Sequence, residues 1–319
     1  MRRVLLALVL FMLSPIPVYA STLEVGPGYQ YTEIKEAIMD ADPGSRILVY
    51  PGVYEGNFTI DKPDIRLESV NGDVLINGSL NPVNGITVTA DNVTVRGLNV
   101  TGFVYGIKLY TSSYSLVEDN FVYGCIKPGR YGGDGILLWL RCHNNTVRNN
   151  IVFDCDRHGI TLGYTRGAGT CTGNQITDNI LYDNGIGWKY DSGIRLRHAD
   201  YNIIKNNVIY MNKSLRPPVG IYLRDNCDNN YIAYNTINHH NYGIHLYSYC
   251  RNNTIQCNTF TDILNPTIIG GLNCTGNILL DCPTVGGTIY RTPTRNQLET
   301  ITILLLGIAL LYKTVSMNK

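Results

Sequence analysis

The sequence predicts an all-β fold: a single-stranded right-handed parallel β-helix (a solenoid) with an N-terminal capping helix. Three observations carry that expectation. A Gly-Ile-x-Leu motif recurs along most of the chain, and a pair of asparagines recurs in step with it. The composition is glycine-rich but sparing in charge, with 32 Gly and 16% charged residues in 319. A solenoid can reach this length as one domain because each coil contacts only its neighbours. The formal net charge of +1 supplies no electrostatic reason to expect nucleic acid as a partner.

The motif starts at Gly85, Gly106, Gly135, Gly159, Gly193, Gly220 and Gly243. Intervals of 21 to 34 residues fit coils of a β-solenoid with insertions. The asparagine register is Asn145/Asn150, Asn174/Asn179, Asn202/Asn207, Asn230/Asn235 and Asn253/Asn258, each pair five residues apart. An apolar residue stands two after the first member: Val147, Ile176, Ile204, Ile232, Ile255. Equivalent amides on successive coils can form hydrogen-bonded ladders. Asparagine also tolerates the left-handed backbone that sharp corners require.

Three residues before the first asparagine stand Cys142, Cys171, Ala199, Cys227, Cys250 and Cys274, with Thr89 and Ser112 in earlier coils. A column of small side chains reads as an inward packing stack. Cys125 and Cys155 form a second match. Coils about 4.8 Å apart leave disulfides between neighbours open in a secreted chain. The count of nine leaves at least one cysteine outside any internal pair. No tight Cys-x-x-Cys cluster marks a metal site, and no metal ligand is assigned.

Residues Tyr31 to Ala41 place Ile34, Ala37, Ile38 and Ala41 on one helical stripe, with Thr32 as N-cap and Asp42-Pro43-Gly44 as the stop. Such a helix protects the exposed edge of the first coil. Short β runs follow at 47–50, 58–60, 65–67 and 74–76. At the N-terminus, Arg2 and Arg3, the apolar run Val4 to Leu13 and Val18-Tyr19-Ala20 have the pattern of a cleaved secretory signal over residues 1–20. The β-helix domain is assigned to 21–295 and a hydrophobic tail to 296–319. Its uncharged run, Thr300 to Tyr312, would cover about 20 Å as a helix against a hydrocarbon core of about 30 Å. Both a short membrane anchor and a cap on the fold remain open for it.

The stretch YTEIKEAIMDADPGSRILVYPGVYEGNFTI resembles the entry segment of pectin-lyase-like β-helix proteins. The repeat GIxL…CxNNxIxxN resembles the NosD-like, carbohydrate-binding and sugar-hydrolase group. Together they span residues 22 to 290. The resemblance implies the fold. It leaves the activity open among lyases, hydrolases, epimerases, esterases, binding proteins and a copper-site accessory role. Only 5 Met and 6 His argue against a copper store.

Alternation in the repeat sends Ile and Leu inward and the intervening residues outward. One outward column reads Lys108, Leu137, Thr161, Arg195, Tyr222, His245; the next reads Tyr110, Trp139, Gly163, Arg197, Arg224, Tyr247. Aromatic rings stack on sugars and arginine pairs carboxylates. The columns contain no acid. Arg195, Arg197, Arg224, Trp139, Tyr222, His245 and Tyr247 are therefore the expected substrate-binding residues.

Long loops before Gly135, Gly193 and Gly220 flank a short one before Gly159, leaving a notch at Asp156-Arg157-His158. By register His158 lies between Asp134 and Ser192, Arg157 beside Asp191, and Asp156 beside Tyr190. The expected catalytic set is His158, Asp156, Tyr190, Asp191 and Asp134. His158 or Tyr190 would move a proton, and the aspartates would orient them or hydrolyse as a pair. The arrangement resembles polyuronate C5-epimerases and lyases.

The expectation is a secreted or surface-attached protein acting as a lyase, epimerase or hydrolase on a uronate-containing polysaccharide. A non-catalytic carbohydrate-binding or structural surface protein is the alternative. No cofactor is assigned, Ca2+ being left open, and membrane contact is expected only through the tail.

Overall fold

The computed structural model describes residues 20–78, 83–127, 132–163, 170–185, 191–212, 219–270 and 273–282. Residues 1–19 of the expected signal segment, Tyr190 and the expected tail 296–319 lie outside them. The chain divides into a unit of residues 1–280, the solenoid, and a unit of residues 281–319, of which 281 and 282 are described.

Every strand pairing in the solenoid is parallel and joins one coil to the next. Among the described residues the strands form an 11-stranded sheet, a 16-stranded sheet and a 2-stranded one. The larger sheet comprises two faces of the coil that meet in the long strand Thr236–Leu246. The Gly-Ile-x-Leu strands stack in register on one of these faces, Ile107 on Ile136, Ile136 on Ile160, and Ile160 on Ile194. Their Ile and Leu side chains are buried with Val95, Val117, Val147, Val122 and Val152 from the other faces in one core running through the coil. The repeat glycines are a packing requirement. A Cβ on Gly106 would stand 2.4 Å from Val122 Cγ1 and 2.8 Å from the Gly135 carbonyl oxygen.

Both asparagine columns are ladders. Asn145 Nδ2 donates to Ser112 O at 2.9 Å and to Asn174 Oδ1 at 3.0 Å, while its backbone N–H donates to the same Oδ1 at 3.0 Å. The pattern repeats through Asn174, Asn202, Asn230 and Asn253, and in the second column from Asn120 to Asn258. Inside a coil, water cannot serve these corner backbone groups, so the amides do. One expectation is corrected. The left-handed residue at each corner is the one preceding the ladder asparagine: Asn144, Asn149, Asp178, Tyr201, Asn206, Asn229 and Asn252 have φ between 53° and 58°. The ladder side chain points inward, so the kink falls on its outward-facing predecessor.

The cysteine column is an inward stack. Ser112, Cys142, Cys171, Ala199, Cys227 and Cys250 are fully buried. Cys125, Cys142, Cys155, Cys171, Cys227, Cys250 and Cys274 are free thiols, whereas Cys257 and Cys282 are disulfide-bonded. Outside the coil, Tyr123, Phe153, Tyr182 and Tyr210 stack with ring centroids 4.6 to 5.2 Å apart. Each ring covers its neighbour's face, so this ladder stabilises the coil, and its two middle rings, Phe153 and Tyr182, offer a ligand only their edges.

The helix spans Ile34–Asp40 and buries Ile34, Ala37 and Ile38 against the first coil. Glu33, not Thr32, is its N-cap, with no side-chain capping bond. Lys62 closes the other end, its Nζ donating to the carbonyls of Ile38, Met39 and Ala41 at 2.6 to 3.1 Å. Among the described residues no helix is long and apolar enough to cross a membrane.

Candidate functional site

The outward columns lie side by side in the predicted register. Arg195 stands between Thr161 and Tyr222, and Tyr222 beside His245. Their environment differs from an open face. Leu137 and Thr161 are 0% exposed, Arg195 and Tyr222 2% and His245 8%. Alternation tells which side of a sheet a residue leaves by, but not what lies above it. Here the outer side carries its own apolar cluster, Val104, Tyr105 and Leu137 with Trp139 against them. From Leu137 to His245 the first column is therefore an enclosed floor, and Lys108 joins the second column at the rim.

Two aromatic groups mark the rim. Lys108 Nζ sits 4.1 Å from the Trp139 ring centroid and 5.3 Å from that of Tyr110. At the other end Tyr222, Tyr242 and Tyr247 surround His245 at 5.2 to 5.9 Å, except that Tyr222 meets Tyr247 at 6.5 Å. Tyr110 and Tyr247 are 37% and 40% exposed, enough to offer a ring face. Arg197 and Arg224 are half-buried. An acid, which the columns themselves lack, is supplied by Asp225: its Oδ2 accepts from Arg197 Nε at 2.9 Å and from Arg224 Nε at 3.1 Å. Asp225 has φ 57°, a corner conformation that swings it back toward the strand it has just left. Reading strand alternation alone misses it; its place directly after Arg224 was the visible signal.

Between these groups the notch residues converge. His158 pairs with Asp134 on one side and Ser192 on the other. Its Nδ1 lies 3.1 Å from both the backbone N and Oγ of Ser192, and its Nε2 lies 3.4 Å from Arg195 Nη1. Arg157 Nε is 3.9 Å from Asp191 Oδ1. Asp134 is fully buried, its carboxyl group set against the Thr161 hydroxyl and the His158 backbone. Burial pushes its pKa up, outweighing the pull of Arg157 and Arg195. Burial, reinforced by Arg195 and Arg157, drives His158 well below the usual imidazole value. Arg195 is itself pushed down to about 10, mainly by burial.

Of the expected catalytic set, Asp134, His158 and Asp191 therefore come together around Arg157 and Arg195. Asp156 turns to the preceding coil, its Oδ2 accepting the Lys127 backbone N–H at 3.2 Å. Tyr190 lies outside the described residues. Ser192, which seats His158, was visible in the sequence only as a register neighbour.

Buried neutral histidines tie stability to pH. His240 accompanies His158, its pKa lowered to about 4 by burial. The unfolded chain binds these protons near pH 6.5, the folded chain only at lower pH. Each such histidine thus contributes stability above about pH 6.5 that is lost as pH falls toward its folded value. His240→Asn keeps a donor for the Asn238 carbonyl, which His240 Nδ1 meets at 2.7 Å. It is expected to flatten the acid side of a urea-midpoint profile between about pH 6.5 and 4.

A family model described as periplasmic copper-binding protein (NosD) matches residues 44–271. The cell surface glycoprotein of Methanothermus fervidus is 30% identical over 187 residues, 57% of this chain and 30% of that protein. The chain thus spans less than a third of that relative. The alginate lyase AlyGC superposes with a TM-score of 0.56 at 15% identity, covering 85% of this chain and 41% of that one. The pectate lyase Pel9A gives 0.53 at 17%, covering 76% and 71%. At these identities the likeness is one of fold. Copper, named in the family description, does not fit the described residues: they hold no group of three or more His, Cys, Asp or Glu able to bind a metal. With more than half of its length matched by that one model, the chain belongs to the NosD family.

Proposed function

We propose that this protein works outside the cytoplasm and binds an acidic polysaccharide along the face from Lys108 to Tyr247. One observation carries the reading: aromatic rings stand at both ends of the rim of a rigid parallel sheet, with the paired arginines Arg197 and Arg224 between them. Lys108, Arg157, Arg195, Arg197 and Arg224 outnumber the carboxylates Asp134, Asp191 and Asp225 among them, which favours an anionic ligand. Five coil steps of about 4.8 Å give the face a length of about 24 Å, suited to a chain rather than a single sugar. The surface glycoprotein relative, the periplasmic family description and the leader-like N-terminus support the location.

Binding is favoured over turnover because His158 and Asp134, the groups placed for proton transfer, are 1% and 0% exposed. A second reading, a lyase, epimerase or hydrolase, draws on their displaced pKa values, which often mark catalytic sites.

One experiment separates the two. The protein is incubated with polyuronates and neutral glycans in D2O, with and without Ca2+; binding is measured by calorimetry and products by mass spectrometry. Retention of polyuronate without cleavage or deuterium uptake is expected. Cleavage or deuterium gain would establish turnover instead, and no binding to any polyuronate would overturn both. Arg197→Ala combined with Arg224→Ala is expected to weaken polyuronate binding about tenfold or more and to flatten its salt dependence.

A further inference from the structure

We infer that Asn144 and Asn252 are acceptors for N-linked oligosaccharide, placed at matching corners of the solenoid. The inference rests on the extracytoplasmic part of the reading above, because this modification belongs to exported chains. The chain contains eight Asn-x-Ser/Thr sequences, and two of them share one geometry. Transfer joins Nδ2 to the anomeric carbon of a sugar held on a lipid phosphate. The bond from that carbon to the phosphate oxygen breaks, the lipid phosphate leaves with the electron pair, and Nδ2 gives up one of its two protons. An acceptor therefore needs an exposed amide with a hydrogen to lose, and an accessible hydroxyl two residues on.

Both sites sit where a ladder corner turns into a strand of the 11-stranded sheet. In Asn144-Asn145-Thr146 the ladder asparagine is the middle residue, and it is fully buried. Its neighbours leave by the opposite side. Asn144 is exposed, with φ 55°, and Thr146 is half-buried at the head of the strand Thr146–Arg148. Asn252-Asn253-Thr254 repeats this: Asn253 is fully buried, Asn252 is exposed at φ 53°, and Thr254 is half-buried at the head of Thr254–Gln256. The backbone N–H of Asn144 donates to Thr172 O and that of Asn252 to Thr275 O, each at 3.0 Å. Each side chain lies over a glycine of the next coil. A Cβ on Gly173 would stand 2.3 Å from Asn144 Oδ1, and one on Gly276 would stand 2.2 Å from Asn252 Oδ1. Oδ1 is thus the atom packed against the coil, and neither Nδ2 is a hydrogen-bond donor among the described residues.

Asn99-Val100-Thr101 has the opposite geometry. Asn99 Nδ2 donates to Gly72 O at 2.9 Å and to Val74 O at 3.2 Å, which uses both its hydrogens, and Thr101 is 8% exposed. An oligosaccharide there would break a bond between two coils. Asn144 stands five residues after Trp139, and Asn252 five after Tyr247. Four coil steps separate the two acceptors, from Thr146 through Gln175, Ile203 and Tyr231 to Thr254. Two oligosaccharides about 19 Å apart along the axis would therefore border the rim at its two aromatic ends.

The test maps glycopeptides of the protein recovered from its own fractionated cells, by mass spectrometry with electron-transfer fragmentation. Oligosaccharide on Asn144 and Asn252, and none on Asn99, is expected. A bare Asn144 or Asn252 on an exported chain would overturn the inference and leave the location intact, and so would an oligosaccharide on Asn99. A bare chain recovered from the cytoplasm would overturn both. Variants in the same host give a second readout. Thr146→Val keeps a β-branched side chain but removes the hydroxyl, and should lose the mass of one oligosaccharide, whereas Thr146→Ser should keep it. Thr146→Val combined with Thr254→Val should lose two. An unchanged mass for Thr146→Val would sink the assignment of Asn144.

Discussion

Asn179→Ala is expected to destabilise the solenoid by about 3–6 kcal/mol, a large share of the stability of a typical domain. The Asn179 side chain is fully buried and makes four hydrogen bonds. Its Oδ1 accepts from Asn150 N at 2.9 Å and Asn150 Nδ2 at 3.0 Å, and its Nδ2 donates to Val147 O at 2.9 Å and Asn207 Oδ1 at 3.0 Å. Alanine removes all of these where water cannot enter, and each stranded group costs about 1–3 kcal/mol. The neighbouring corner offers a control. Asn206 is exposed, with φ 58°, and its Nδ2 donates to Asp178 Oδ1 at 3.1 Å. Asn206→Gly suits that backbone and should cost about 1 kcal/mol or less. Urea unfolding of the two variants measures the contrast. Similar midpoints would mean that the ladders are not what holds the coils together.

Gly163→Ala is the second large effect, and it reaches the rim. Gly163 has φ 70°, and an added Cβ would stand 1.9 Å from Arg197 O and 3.1 Å from Arg197 C. Both obstacles are backbone, so no side-chain rotation relieves the clash. The strand carrying Arg197 must move or the coil must open, at about 3 kcal/mol or more. Gly28→Ala isolates the backbone term, since Gly28 has φ 85° and nothing within 4 Å of its added Cβ. It should cost about 1–2 kcal/mol. Thermal unfolding ranks the two. Polyuronate affinity should fall for Gly163→Ala and hold for Gly28→Ala, because only the former displaces the Arg197–Asp225–Arg224 clasp. An unaltered melting temperature for Gly163→Ala would mean that the corner relaxes without cost.

The register of the coils was legible because a solenoid repeats its physics at every turn. Gly-Ile-x-Leu marks the same inward pair on each coil, and the asparagines mark the same buried corner. From that register alone His158 falls between Asp134 and Ser192, and Arg157 beside Asp191, as the structure has them. The corners were less legible. Which residue takes the left-handed kink depends on which neighbour must point inward, and Asn149 and Asn150 have identical side chains. The aromatic stack of Tyr123, Phe153, Tyr182 and Tyr210 stands in the third position of successive short strands and was readable by the same register.

By itself the sequence determined the solenoid, its coil register, its inward columns and the set of residues on one outer face. These depend on local periodicity, and every coil states them again. Only the tertiary structure decided that Arg195, Thr161 and Tyr222 form an enclosed floor, that Asp225 turns back to clasp Arg197 and Arg224, and that Asp156 looks away from His158. Each of these depends on the direction of a corner or on what packs over a sheet, contacts between segments that no repeat spacing encodes.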